Sequence, residues 1–327
     1  MHKLDSRLIL GLLLAATIFA GLTVEGLPDL FSPYTLQALF IMIVASLIPM
    51  ARQKLGDIFS FEPDILRTVF WQLFVLPSIM LAATHMLKIS PAIVKLMAVT
   101  ACAGSLFASP ALADLLGLNQ RKALQCMVLS TFTMPLSYFL FFSAVMHSSV
   151  EIQLSEFVGR TGIFLMLPAA IFLFYSAFAE DMNEAAARRV EQGARWVTVV
   201  ALMVFGLGII GPAAKMLDAQ PERFMTLLVV VTLLGASMAI LTTIVMYRQG
   251  ITNALTASIV SGFRNVGLGF VLIQGTAADE TAAYVGISQI PIFLAPLVMR
   301  LAISNARDDA ATNRPGTAQP HHGPQPA

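Results

Sequence analysis

The segment Ser261–Gly269 reads SGFRNVGLG and lies inside the apolar run ITNALTASIVSGFRNVGLGFVLIQG. Arg264 stands among glycines, with Asn265 beside it, where a helix would be weakest. A charge at the centre of a membrane segment costs about 2.5–3.5 kcal/mol on insertion scales, so it marks a functional site by default. A guanidinium is a planar fork of donors that suits a carboxylate, sulfate or phosphate in two parallel hydrogen bonds. The competing structural reading is a guanidinium tied to nearby carbonyl oxygens. A second stretch, ACAGSLFASPALADLLG, is weakened in the same way by Gly104, Ser105, Ser109 and Pro110. A broken membrane helix exposes N–H groups with partial positive charge at one half-helix end and free carbonyl oxygens at the other. Such ends attract an anion and a cation respectively. The substrate-facing candidates are therefore Arg264, Asn265, Ser261, Gly262, Gly104, Ser105 and Ser109, with Gln289 on the last apolar segment. Asp114 has two readings: an ion pair with Arg264 in the empty protein, or a place at the inner membrane interface near Arg121.

These residues need a scaffold that crosses a bilayer. Of 327 residues, 57% are apolar and 12% charged, against about 25% charged in soluble domains. Mean hydropathy is +0.77. The apolar residues come in blocks long enough to span, at 8–24, 33–50, 65–87, 92–117, 121–146, 157–179, 195–214, 223–247, 251–275 and 281–303. The N-terminal MHKLDSRLILGLLLAATIFAGL reads as the first span rather than a cleaved signal peptide, because this makes the segment count and charge pattern consistent. With the N-terminus inside, only Lys88, Lys95, Arg160, Lys215 and Arg223 fall outside; every other Lys and Arg except Arg264 falls inside. Positive charge collects on the cytoplasmic side, so both termini are expected there, in a cell (inner) membrane.

The longest connection, EDMNEAAARRVEQGAR, predicts a short surface helix joining two halves. Five spans on each side of it make the second half inverted relative to the first. The weakened segments are the fourth and ninth spans, the fourth of each half, as an inverted repeat with interrupted helices requires. The fold expected is all-α integral membrane, with repeats 1–147 and 157–304 and spans 4 and 9 broken and crossing. The proline-rich stretch 305–327 is expected to be a disordered cytoplasmic tail, and His321 and His322 within it are solvated. Cys102 and Cys126 lie in apolar segments as packing residues. Near-neutral charge excludes a nucleic-acid partner. His85 and His147 have no acidic or cysteine company at metal spacing, so neither an enzyme nor a bound metal is expected. No GxxxxGK[ST] occurs to drive ATP-dependent pumping.

This pattern resembles the bile acid:sodium symporter family and its wider superfamily. QLFVLPSIMLA from Gln72 resembles the family's Q-x-x-x-x-P stretch in span 3, and STFTMPLS from Ser130 its S-T-x-x-x-P stretch in span 5. ACAGSLFASPALADLLGLNQRKAL resembles its glycine-rich crossing segment. Gly262, Asn265, Leu268 and Gly269 match its E-x-G-x-Q-N-x-x-L-G pattern. The resemblance implies spans 3–5 and 8–10 as a core holding the crossing, and spans 1, 2, 6 and 7 as a panel. It leaves Gln72, Ser130 and Thr131 as residual ion-site candidates. The chain also departs from the pattern: Val260 stands for the glutamate, Arg264 for the glutamine, and Ala123 and Met127 for polar span 5 ligands. With no carboxylate left, no sodium ion or other cofactor is expected, and Arg264 would supply the charge that sodium supplies in relatives. The function implied is secondary transport of a small organic anion by alternating access. A sodium-coupled organic-anion symporter and a transporter-like receptor are the alternatives; oligomeric state stays open.

Overall fold

Prolines and asparagines set where the helices begin. Pro63, Pro91 and Pro221 each open a helix, where a missing N–H is harmless. Asn119 and Asn183 cap two others, their side chains accepting from Lys122 N at 3.0 Å and Ala186 N at 2.8 Å. The computed structural model describes residues 6–51, 62–142, 154–179, 181–273 and 280–294. In chain order these give α1 (Ser6–Thr23), α2 (Leu27–Phe31), α3 (Thr35–Leu47), α4 (Pro63–Phe70), α5 (Leu76–Met86), α6 (Pro91–Ala101), α7 (Ser109–Leu115) and α8 (Gln120–Ser137). They continue as α9 (Leu154–Thr161), α10 (Leu167–Ala179), α11 (Glu184–Ile209), α12 (Gly211–Ala219), α13 (Pro221–Met246), α14 (Ile251–Gly262), α15 (Val266–Ile273) and α16 (280–294). Among the described residues there is no strand, only one isolated bridge. The tail with His321 and His322 lies outside them, as does His147.

Six helices are long and apolar enough to cross a membrane: Leu27–Leu47, Pro63–Met86, Gln120–Phe141, Ser155–Ala179, Glu184–Ala219 and Pro221–Gln249. They coincide with expected spans 2, 3, 5, 6, 7 and 8. The chain is a multi-pass, all-α membrane protein. Its long helices turn large apolar side chains outward, among them Phe174, Leu233, Ile240 and Ile244. The interrupted helices do the reverse. Residues 98–107 are buried throughout, and so are Ile259 to Ser261 and Arg264 to Gly269. Irregular backbone at membrane depth survives only where protein covers it, and the long helices supply that cover.

Two expectations are corrected. The 180–195 connection is not a separate surface helix, because α11 runs unbroken for 26 residues from its Asn183 cap into the seventh span. Its first turns are alanine- and arginine-rich, with Gly193 the one glycine before the apolar half, so nothing stops it there. That span instead bends at Ile210, where Gly211 and Pro212 begin α12. The second span starts earlier than residue 33: α2 opens with Pro28 in its first turn and joins α3 through a 3-10 turn at Ser32–Tyr34.

Candidate functional site

The two interrupted segments meet. The first runs from the end of α6 at Ala101 to the start of α7 at Ser109. The second runs from the end of α14 at Gly262 to the start of α15 at Val266. They pair antiparallel, with Ser105 opposite Arg264. Asn265 N donates to Gly104 O at 2.9 Å, and Leu106 N donates to Phe263 O at 3.0 Å. The bonds flank the pair rather than join it, which brings the side chains of Ser105 and Arg264 closest together. Backbone groups that the breaks release are thus satisfied across the crossing.

Gly104 allows this close approach: a Cβ there would lie 3.1 Å from Ser130 O, so a side chain would press the first segment a few tenths of an ångström away from α8. Ser130 then completes the contact: its Oγ accepts from Ser105 N at 3.0 Å and lies 3.0 Å from Ser105 Oγ. Gln72 closes the other side, with Nε2 2.9 Å from Ser105 Oγ and 3.1 Å from Val260 O. Gln72 and Ser130, far apart in sequence, meet around Ser105. Thr131 does not join them; its hydroxyl donates to Met127 O of its own helix at 2.7 Å.

Arg264 is 1% exposed. Its Nη1 donates to Ala103 O at 2.8 Å and its Nη2 to Gln72 O at 2.9 Å, with Met238 Sδ at 3.5 Å from Nη2. The guanidinium is thus tied to nearby carbonyl oxygens, the arrangement of the competing structural reading. Both terminal nitrogens donate to backbone oxygens. Nε has no partner. No carboxylate among the described side chains pairs with the guanidinium. Asp114 lies on α7, but its side chain is outside the described residues.

Gln72 O is free to accept for a local reason. Residues Trp71–Val75 form a π turn, in which Leu76 N bonds to Trp71 O. One residue on, the donor for Gln72 O would be Pro77, which has no N–H. Ala103 O is free because α6 has already ended at Ala101. These two acceptors, and Met238, are what the sequence reading missed. Backbone carbonyls carry no residue-type signal; in an ordinary helix Pro77 would free Leu73 O, and it is the π turn at Trp71–Val75 that shifts the freed acceptor to Gln72.

The remaining candidates divide. Ser109, Ser261 and Asn265 are buried at the crossing, and Ser109 Oγ, Ser261 Oγ and Asn265 Nδ2 have no hydrogen-bond partner. Asn265 also caps α15, its Oδ1 accepting from Leu268 N at 3.1 Å. Gly262 packs closely against α13: a Cβ there would come 2.8 Å from Ala239 Cβ. Gln289 is not brought to the crossing by any hydrogen bond; its amide donates to Val285 O at 3.1 Å on its own helix.

On one side of the crossing the packing is interlocked. The Phe205 ring of α11 fills the space over Gly267 of α15, and Phe293 of α16 lies against Gly206, with its Cζ 2.8 Å from where a Cβ would sit. Elsewhere a narrow cleft separates α3 and α10 from α8, lined by Ile43, Leu47, Phe107, Met127, Thr131 and Pro168 among others. No protein-family model matches the chain, and no curated protein matches it.

Proposed function

We propose that the chain is a secondary transporter of a small organic anion, working by alternating access around the crossing of its fourth and ninth spans. The observation that carries this reading is the set of buried polar atoms without partners: Arg264 Nε, Asn265 Nδ2, Ser109 Oγ and Ser261 Oγ. More than nine in ten buried polar groups in proteins are hydrogen-bonded, and all four of these belong to the two segments that cross or directly adjoin them. Nε and Nδ2 only donate, so what they lack is an acceptor. The Arg264 guanidinium is held only by neutral acceptors, Ala103 O, Gln72 O and Met238 Sδ, with no counter-ion among the described residues, and burying a charge is costly unless it is paired. A bound anion supplies both the acceptor and the charge.

The reading includes ten spans in two inverted repeats, a core of spans 3–5 and 8–10, a panel of spans 1, 2, 6 and 7, and cytoplasmic termini in the cell membrane. It also includes a place in the bile acid:sodium symporter family. The antiparallel crossing supports it, since two broken helices related by inversion would meet this way. The packing between core and panel is uneven, which supports alternating access about a fixed side: span 7 of the panel interlocks with spans 9 and 10 of the core through Phe205, Phe293 and their glycines, while the cleft by Phe107 and Thr131 separates core from panel elsewhere. Transport rather than catalysis is the activity proposed, because the polar groups at the crossing include no nucleophile–base pair.

The test is uptake by proteoliposomes containing the purified protein. A panel of labelled carboxylates and sulfonates of increasing size is offered, with tetraethylammonium and a neutral sugar as controls. Saturable uptake of at least one anion and of neither control is expected. Uptake of no anion, or equal uptake of the cation, would reject the reading.

A further inference from the structure

The guanidinium of Arg264 sits in a cage of acceptors contributed by three separate parts of the chain: Ala103 O at 2.8 Å, Gln72 O at 2.9 Å and Met238 Sδ at 3.5 Å. Both oxygens are freed by local irregularities, one by the end of α6 and the other by the π turn before Pro77. Neutral carbonyl dipoles converging on one buried positive charge are the kind of ligand set that replaces the hydration shell of a monovalent cation. We infer that this cage is a monovalent-cation site whose resident cation is the protein's own guanidinium.

The sodium ion that the family resemblance implies does not fit the residues present. Val260, at the position of the family's glutamate, is wholly buried in an apolar cluster with Val69, Leu73, Ala123 and Cys126. Its carbonyl oxygen already accepts from Gln72 Nε2. Met127, at another polar ligand position, lies in a second apolar cluster. The hydroxyls of Ser105 and Ser130 are engaged with each other. A fixed guanidinium a few ångströms away repels any added cation. The crossing therefore carries its cation permanently, and binding of substrate does not draw on a sodium gradient. The cage itself stands whether or not the protein transports anything.

Removing the guanidinium leaves the acceptors behind. Arg264→Ala empties the cage without altering Ala103, Gln72 or Met238. The experiment follows the melting temperature of the purified protein in detergent, by intrinsic fluorescence, for the native chain and Arg264→Ala. Each is titrated with millimolar guanidinium chloride or sodium chloride, with choline chloride holding ionic strength constant. The variant is expected to melt several degrees lower, and guanidinium is expected to restore most of that loss saturably while choline restores none. The native chain is expected to respond neither to guanidinium nor to exchange of choline for sodium. A variant whose melting temperature ignores guanidinium overturns the inference, and so does a sodium-specific rise in the native chain. The native-chain arm needs no variant, so a sodium-specific rise there overturns the inference even if Arg264→Ala does not fold. Failure of anion uptake would sink the transport reading and leave these outcomes unchanged.

Discussion

The two breaks that form the crossing are built differently. The first, between Ala101 and Ser109, is longer, uncharged and held from outside: Ser130 satisfies Ser105 N, and Gln72 satisfies Ser105 Oγ. The second, between Gly262 and Val266, is short and brings its own fastener, because Arg264 reaches back to Ala103 O and Gln72 O. One break depends on neighbouring helices; the other clamps both the first break and a neighbour. The difference assigns separate roles. The long break presents backbone and hydroxyls that its neighbours fasten, and the short break carries the fixed charge that fastens both.

The largest effect is expected where the long break needs its neighbour. Gly104→Val would drive a branched side chain toward Ser130 O, already 3.1 Å from a bare Cβ. The atoms met, Ser130 O and C and Thr131 N, are backbone of α8 and yield less readily than the end of a flexible side chain. The expected outcome is no monodisperse protein on size exclusion after detergent extraction; a well-behaved variant would show that the close approach is dispensable.

A smaller and sharper effect concerns the short break's clamp. Pro77→Ala restores an N–H that competes with Arg264 for Gln72 O. Loss of a hydrogen bond to a charged group costs about 1.5–3 kcal/mol, so the melting temperature should fall. Helix propensity alone predicts the opposite sign, because proline is the residue least suited to a helix interior. Pro168→Ala is the control. The same Leu-Pro pair follows the same kind of π turn at Gly162–Met166, but there Ile163 is 54% exposed and away from the crossing. Melting temperatures that rise equally in both variants would remove the special role of Gln72 O.

The smallest effect separates charge from capping in the short break. Asn265→Ala removes the cap on Leu268 N, worth about 1 kcal/mol. A modest drop in melting temperature is expected, with the secondary structure retained by circular dichroism. A loss as large as that of Arg264→Ala would mean that Asn265, not Arg264, fastens the crossing.

Much of this was legible in the sequence, and the reasons are physical. Glycine, serine and proline clusters inside apolar runs disclosed both breaks, because a membrane helix loses its backbone bonds only at such residues. Arg264 disclosed the centre, because so costly a residue is not placed idly. Its partners were hidden: an acceptor that is a backbone carbonyl depends on where a helix ends, not on which residue ends it. The surroundings of Gln289 and Gly262 were hidden for related reasons. A buried glutamine has a local partner in its own helix, and a glycine beside a break serves equally well to admit a neighbouring helix, here α13 at Ala239. The continuous α11 was hidden by its polar first half, which reads as a surface connection although nothing in it stops a helix.

The central claim is that the buried charge of Arg264 draws an anion to the crossing. Its most direct test is the anion-dependent rise in melting temperature of the native protein and of Arg264→Gln, measured across the same carboxylate and sulfonate panel, with gel filtration confirming that the variant is folded. The account predicts a saturable rise for at least one anion in the native protein and its loss in the variant. A rise that persists in Arg264→Gln with an unchanged midpoint would contradict it.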